Sequence, residues 1–178
     1  MPLSMNRRQM LAGAGASAAI LSVSARAVGL GSASLFTLGV ASGEPSSDGM
    51  GLWTRLAPAP LQADGGMSTK PVAVRWEIAA DEQFRTIVRT GTAQAEPHWG
   101  HSVHVEVAGL QSARPYWYRF IANGETSPVG RTRTAPARGA SVDHLRLCFG
   151  SCQKYEAGFY AAWRHVVAED PDLILFLG

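Results

Sequence analysis

Cysteine is scarce in this chain: Cys148 and Cys152 are the only two among its 178 residues. Four residues of extended strand would separate their α-carbons by roughly 13 Å, whereas a disulfide needs a separation below about 7 Å. The spacing therefore excludes a disulfide between them. Cys148 falls inside an apolar run, where a small buried thiol is the ordinary interpretation. Cys152 follows that run, and its position alone leaves open a core residue, a metal ligand and a catalytic thiol.

Several motifs are also missing. The sequence contains no glycine-rich phosphate loop, no Ser-His-Asp set and no internal repeat. Charged residues make up 17% and hydrophobic residues 46% of the chain, a balance typical of a globular protein. Without the three charges of Arg7, Arg8 and Arg26, which precede every acidic residue, the formal net charge falls from +2 to −1. The remainder gives no electrostatic argument for binding nucleic acid.

The first 27 residues predict an export signal. Arg7 and Arg8 precede a mildly apolar stretch over residues 12–23, and residues 25–27 have the small-x-small pattern of a cleavage site. Twelve such residues are too few to span a bilayer, which argues against a membrane anchor. The paired arginines resemble a twin-arginine signal. This predicts passage through the twin-arginine export machinery to a periplasmic, cell-surface or secreted location.

The signal departs from the usual twin-arginine pattern at three positions, Asn6, Met10 and Ala12. The general secretory route therefore stays open as the alternative. The twin-arginine route carries folded proteins, often with a cofactor already in place. It would suit a protein that must acquire a particular metal before export.

Residues 35–136, called the sandwich below, change to short β-segments separated by turn signals. In residues 72–79, apolar side chains alternate with Arg75 and Glu77, as a strand with one buried and one wetter face requires. Such a series predicts a mainly β fold, an antiparallel β-sandwich. The predicted strands span residues 36–41, 51–56, 72–79, 86–92, 101–107, 116–122 and 129–134.

Residues 110–120 indicate which kind of β-sandwich this is. Leu110 stands six residues before Tyr116, and Tyr118 and Phe120 then face inward on the same strand. This arrangement resembles the tyrosine corner of fibronectin type III and immunoglobulin-like sandwiches, where the phenol bonds back to the preceding turn. Ser112 stands where that corner usually has proline. The resemblance assigns the corner role to Tyr116.

Three histidines and three arginines between residues 98 and 138 are expected to lie at the surface. His98, His101 and His104 invite a metal-site interpretation, but residues 101 and 104 face opposite sides of a strand. No carboxylate or cysteine completes a tetrahedral set with them, so we expect surface histidines. Three arginines along the last strand and the linker are expected to form a solvated face. They are Arg131, Arg133 and Arg138.

Residues 143–178, called the C-terminal segment below, predict a β-α-β unit that is incomplete at its second strand. Two apolar runs, residues 145–149 and 173–177, are separated by about twenty residues, the span that a crossover helix needs to pair two strands in parallel. In open α/β sheets, ligands bind at the carboxyl ends of parallel strands, and Cys152 lies just past the first. The predicted apolar face of the helix consists of Phe159, Trp163, Val166 and Val167.

Three parts of the chain together resemble the alkaline phosphatase D (PhoD-like) family of exported metallophosphoesterases. The likeness extends over almost the whole chain from Leu35 onward, with Glu44 in place of an aspartate common in the first motif. The resemblance implies a sandwich followed by an α/β phosphatase domain that begins in residues 143–178. The motifs are FTLGVASGEP at 36–45 with LWTRL at 52–56, YWYRF at 116–120, and GSCQ at 150–153 with DPDL at 170–173 and FLG at 176–178.

The resemblance also implies an active centre with iron(III) and calcium. In that family a cysteine in the elbow after the first strand ligates the iron, a position that corresponds to Cys152. The next strand ends in Gly-Asp-Tyr, whose last two residues supply further ligands, and this sequence stops at Gly178. The chain is therefore expected to be the N-terminal portion of a phosphatase acting on small phosphate esters. Alone, it is expected to be inactive and to bind no metal tightly.

Two alternatives stay open. A phospholipase D-like phosphodiesterase of the same family shares every residue quoted above. A secreted binding module, in which the sandwich recognises a partner and the C-terminal segment docks, is the alternative from another class. Other metallophosphoesterases have Asp-x-His after their first strand, and Ser151-Cys152-Gln153 has neither residue. This difference favours the PhoD-like branch.

Overall fold

The computed structural model describes residues 33–178, so the predicted export signal over residues 1–27 lies outside the described part. Within this part the chain forms ten β-strands and one α-helix. None of its helices is long and apolar enough to cross a membrane. The elements are β1 (Val40–Gly43), β2 (Met50–Arg55), β3 (Val72–Ala79), β4 (Ile87–Ala95), β5 (Ser102–Val107), β6 (Pro115–Ala122), β7 (Glu125–Thr126), β8 (Gly130–Arg133), β9 (Leu147–Gly150), α1 (Ala162–Ala168) and β10 (Leu173–Phe176).

Strands β1 to β8 form two antiparallel sheets. The first has the order β1-β2-β5, and the second has the order β4-β3-β6-β7 with β8 also paired to β6. Leu52 of β2 lies opposite Val105 of β5 in the first sheet, and Ile78 of β3 lies opposite Tyr118 of β6 in the second. The predicted mainly β fold with antiparallel sheets is therefore confirmed.

The inner faces of the two sheets share one hydrophobic core. Successive side chains of a strand point to opposite faces, and in β6 the buried positions alternate with half-buried ones as this geometry requires. A shift of one residue in register would turn the apolar set outward, so burial fixes the pairing. Full burial of a large apolar side chain such as Phe120 or Ile78 contributes about 1.5–3 kcal/mol. Most of the described chain's stability therefore comes from this core.

The tyrosine corner is present. The backbone N–H of Gln111 donates to Tyr116 Oη at 2.9 Å, and this oxygen lies 3.5 Å from the Gln111 carbonyl oxygen. Thr134 Oγ1 donates to the same carbonyl at 2.7 Å. Tyr116 and Leu110 are both buried. The predicted bond from the phenol back to the turn is confirmed. Together with the Thr134 bond to the same turn, it ties the end of β8 to the start of β6.

The first strand differs from the prediction. The Gly39 N–H donates to Phe36 O at 2.9 Å and closes a turn, and Gly39 has a φ of 71°, which glycine adopts without a steric penalty. β1 therefore begins at Val40 rather than at residue 36, and the side chain of Phe36 packs into the core from the turn. The two-residue strand β7 was not predicted because so short an element has no periodic pattern.

Glu77 corrects the predicted wetter face of β3. The residue is only 2% exposed. Its carboxylate pairs with Arg75 at 2.9 Å and with Arg119 at 2.7 Å, and the Arg119 guanidinium lies 4.0 Å from the centroid of the Phe84 ring. Buried carboxylates persist when they are paired and hydrogen-bonded. The two arginines on neighbouring positions of the sheet therefore make burial of Glu77 tolerable.

The C-terminal segment contains β9 and β10 paired in parallel, with Leu173 opposite Leu147 and Phe176 opposite Gly150. The helix between them is shorter than predicted. It begins at Ala162, because Phe159 has a φ of 50° and is not helical. Phe159 and Val167 are both exposed. The expected apolar face is thus reduced to Trp163 and Val166, which are half-buried.

Two ion pairs connect β8 to the loop before β10, and we call them the β8 ion pairs. Arg131 binds Asp170 at 3.0 Å and Arg133 binds Asp172 at 2.8 Å. The predicted solvated face is confirmed, since Arg131, Arg133 and Arg138 are all exposed. Residues 131 and 133 also share one face of β8 and meet carboxylates with the same two-residue spacing. The Arg146 backbone N–H and the Arg133 guanidinium hold the pKa of Asp172 below its ordinary value.

Candidate functional site

A polar elbow, residues 150–153, follows β9 at the carboxyl end of the parallel pair. Leu177 donates its backbone N–H to Gly150 O at 2.9 Å, and Cys152 donates its own to Gly178 O. Cys152 has a φ of 53°, an uncommon left-handed conformation for a residue with a side chain. The backbone therefore turns sharply at Cys152, and the carboxyl ends of both strands meet at the elbow.

The Cys152 thiol is free and exposed. Ser151 Oγ lies 3.3 Å from Cys152 Sγ. Cys148 is also free but half-buried, because it lies within β9 opposite Ile174 of β10. The structure thus places Cys152 at the carboxyl end of the first parallel strand, as the sequence predicted. Cys148 is less buried than predicted because the two-stranded sheet covers it incompletely.

The elbow supplies a suitable type of metal ligand. An exposed thiol loses its proton when a cation coordinates it, so Cys152 could bind iron as a thiolate. Protein metal sites use at least three protein ligands, and residues 33–178 bring together no group of three or more His, Cys, Asp or Glu side chains that could hold an ion. The described residues therefore contribute one donor to the centre that the resemblance implies. No catalytic step through a metal follows from them.

A cavity of about 290 Å³ opens beside the elbow, and we call it the elbow cavity. It lies at the carboxyl ends of β9 and β10, where open α/β sheets bind their ligands. Its walls combine glycine backbone, two aromatic rings and two uncharged polar side chains. The lining residues are Gly150, Ser151, Gln153, Tyr160, Phe176 and Gly178.

Trp163 contacts three residues around the elbow cavity. Its indole N–H donates to Gln153 Oε1 at 2.8 Å, and its ring lies 4.9 Å from the Phe176 ring, centroid to centroid. A Cβ atom at Gly150 would lie 3.0 Å from the Trp163 ring, so glycine at this position leaves room for the indole. Sequence reasoning assigned Trp163 only to a helix face. Its contact with Gln153 joins residues ten positions apart across an irregular turn, which no periodic pattern indicates.

The three histidines of the sandwich are not part of any cluster of metal ligands within residues 33–178. His98 and His104 are exposed as predicted, but His101 is buried, which corrects the prediction of a surface histidine. Its Nε2 lies 3.2 Å from the Lys70 carbonyl oxygen, and its own carbonyl accepts the Leu56 N–H at 3.1 Å. His101 thus joins two loops at the end of the first sheet.

Comparisons with known proteins agree with this architecture. A model of the family described as "PhoD-like phosphatase, N-terminal domain" matches residues 23–136. Alkaline phosphatase D of Bacillus subtilis (strain 168) is 54% identical over 143 residues, which are 80% of this chain and 24% of the relative. The solved structure of PhoD is 55% identical and superposes with a TM-score of 0.78 over 80% of this chain and 27% of its own. The chain thus spans about a quarter of the length of each relative.

Proposed function

Since this chain belongs to the PhoD-like phosphatase family, we propose that it is the N-terminal portion of an exported enzyme that hydrolyses small phosphate esters. The observation that carries the proposal is the elbow of Cys152 at the carboxyl edge of a parallel strand pair, in a chain 54% identical to an alkaline phosphatase D. The proposed organisation is an export signal over residues 1–27, the sandwich over 35–136 and the start of the phosphatase domain at 143–178.

In this proposal Cys152 is a ligand to iron(III), and calcium completes the centre. Three observations support the role of this thiol: it is free, it is exposed, and it follows a strand whose carboxyl end faces the elbow cavity. When bound, such an ion would neutralise charge on the phosphoryl oxygens and make a water more acidic. The residues of this chain hold the thiol in place through the backbone bond between Cys152 and Gly178.

The proposed route of export is the twin-arginine machinery, on the evidence of Arg7 and Arg8 in the sequence. The location would then be the periplasm, the cell surface or the medium. The substrate class is a phosphate monoester or diester, and a phospholipid diester belongs to the same chemistry. In each case water attacks phosphorus, one ester P–O bond breaks and an alcohol leaves, with the second ester bond of a diester retained. Catalysis then depends on positioning and charge neutralisation.

A hybrid enzyme tests the proposal. In it, this chain replaces the matching residues of the Bacillus alkaline phosphatase D. We expect the hybrid to contain iron and to hydrolyse p-nitrophenyl phosphate, with bis-(p-nitrophenyl) phosphate and phosphatidylcholine assayed in parallel to separate the ester classes. Cys152→Ser should lower iron content and turnover by at least about a hundredfold, since even residues that only support metal ligands are worth about 10- to 100-fold.

Cys148→Ser is the matched control, because it removes the other thiol from the interior of β9. This variant should keep its iron and its turnover. A folded hybrid without phosphatase activity, or a Cys152→Ser hybrid with unchanged iron and turnover, would contradict the proposal.

A further inference from the structure

We propose that Gln153 binds the substrate's phosphate group, and that Trp163 holds the Gln153 side chain in the orientation this requires. The carboxamide N–H groups of Gln153 would donate to a phosphoryl oxygen in the elbow cavity. The inference rests on the proposed function for the identity of the ligand. The placement of the donors comes from the geometry around the elbow.

The hydrogen bond from Trp163 determines which terminal atom of the Gln153 amide is the oxygen and which is the nitrogen. An indole N–H can only donate, and a carboxamide has one accepting oxygen and one donating nitrogen. The 2.8 Å contact from Trp163 Nε1 must therefore be to oxygen, which turns the NH₂ group away from the indole. Nε2 lies 3.6 Å from the position that a Cβ atom on Gly150 would take. The two N–H donors therefore lie over the end of β9, on the wall of the elbow cavity.

The indole is itself held in place. Phe176 packs against its ring, and the missing side chain of Gly150 leaves the space that the ring occupies. Without the indole donor, the amide could rotate by half a turn and present its oxygen, which repels an anion. A donor that is fixed before the ligand arrives loses less entropy on binding. Trp163 is thus a positioning residue that acts through Gln153.

The cavity walls favour an anionic ligand of small size. None of the six lining residues has a carboxylate side chain. Ser151 adds a hydroxyl that can donate. A neutral amide can donate hydrogen bonds to a phosphate oxygen. A cationic side chain in its place would attract all anions alike.

Phosphate titration followed by NMR tests the inference on the 178-residue chain. The chain is prepared with a C-terminal amide, because Gly178 lines the cavity and a carboxylate there would repel phosphate. The side-chain NH₂ signals of Gln153 and the indole N–H signal of Trp163 are followed during addition of inorganic phosphate, with sodium chloride at the same ionic strength as a reference. We expect both signals to shift with one saturating curve in phosphate and to stay unchanged in chloride.

Three variants distinguish phosphate binding by Gln153 from a purely structural role of this residue. Gln153→Glu keeps the acceptor for Trp163 but loses the donors, so phosphate affinity should fall at least about tenfold, the loss of one bond to a charged group. Trp163→Phe keeps the ring beside Phe176 but frees the amide, and a smaller loss of about two- to threefold is expected because both amide orientations are then populated. Gln83→Glu makes the same charge change at an exposed site in the sandwich and should leave phosphate affinity unchanged.

The inference is overturned if phosphate leaves the Gln153 signals unmoved, or if Gln153→Glu binds phosphate as tightly as the parent chain. Kinetics of the hybrid enzyme keep this outcome separate from the proposed function. There, Gln153→Glu should raise KM for p-nitrophenyl phosphate at least about tenfold while iron content stays the same. An active, iron-containing hybrid that Gln153→Glu does not alter defeats only this inference. If the hybrid is inactive but phosphate still shifts the Gln153 signals of the 178-residue chain, only the proposed reaction is contradicted.

Discussion

The sandwich and the C-terminal segment differ in how much of their apolar surface the described chain covers. In the sandwich, two sheets face each other and enclose one core. In the C-terminal segment, Phe149 is 70% and Phe176 is 74% exposed, and none of the side chains described between residues 143 and 178 is buried. The strands of both regions are rich in apolar residues, alternating with polar ones in the sandwich and nearly continuous in the C-terminal segment. Such a pattern therefore stabilises a region only where a second layer of structure packs against it.

The largest expected effect comes from removing one phenylalanine ring in each region. Phe120→Ala empties a site that is 0% exposed and should lower the free energy of unfolding by about 3–5 kcal/mol. Phe149→Ala removes a ring that is mostly in water and should change the free energy of unfolding by no more than about 0.5 kcal/mol. Urea denaturation followed by far-ultraviolet circular dichroism measures both. Equal losses in the two variants would show that the C-terminal segment carries a core of its own.

The strands of the sandwich could be predicted well because their buried apolar residues recur at every second position. Strand β3 has the predicted bounds, residues 72–79; β5 and β6 differ from prediction by one residue at one end, and β2 by one residue at each end. The errors have physical causes that lie outside each strand. Glu77 is buried because Arg119 of β6 pairs with it, and His101 is buried because the Lys70 carbonyl lies beside it. Such partners come from distant parts of the chain, which a local pattern does not contain.

An intermediate effect is expected from breaking one ion pair within the sandwich and one between the regions. Glu77→Gln removes the charge that holds Arg75 and Arg119 and should cost about 1–3 kcal/mol in the free energy of unfolding, since bonds to charged groups are lost. Asp170→Asn breaks a pair whose two side chains are 62% and 71% exposed and should cost no more than about 0.5 kcal/mol. Thermal unfolding at low and at high salt measures the difference. A larger loss for Asp170→Asn would show that this exposed ion pair contributes more to stability than the buried pairs of Glu77.

The candidate site could be predicted in position but not in detail. The end of an apolar run located Cys152, because a short apolar run bounded by turn residues is consistent with a buried strand. The contact of Trp163 with Gln153 could not be found in this way. It depends on α1 beginning at Ala162 after the left-handed backbone of Phe159, whereas the apolar spacing predicted a helix that included residue 159.

The smallest expected effect is a change in the pKa of a single carboxylate. Asp81 lies within the sandwich, and Asp172 lies where the C-terminal segment contacts β8. The pKa of Asp81 is lowered chiefly by the Arg85 backbone N–H, from within its own turn. The pKa of Asp172 is lowered first by the Arg146 backbone N–H and then by Arg133 of β8. Arg133→Gln should therefore raise the pKa of Asp172 part of the way to its ordinary value of 3.8 and leave that of Asp81 unchanged.

The sign of the pH dependence follows from these directions. A carboxylate whose pKa is lowered by folding contributes stability that is fully present above its ordinary pKa of 3.8 and is lost as pH falls through the lowered folded value. Acidification should therefore weaken the contact between Asp172 and β8. Carboxyl carbon NMR signals recorded between about pH 2 and 6 give both pKa values in the parent chain and in Arg133→Gln. If Asp172 titrates at its ordinary value in the parent chain, the ion pair between Arg133 and Asp172 does not form in solution, and of the β8 ion pairs only that of Arg131 with Asp170 would remain.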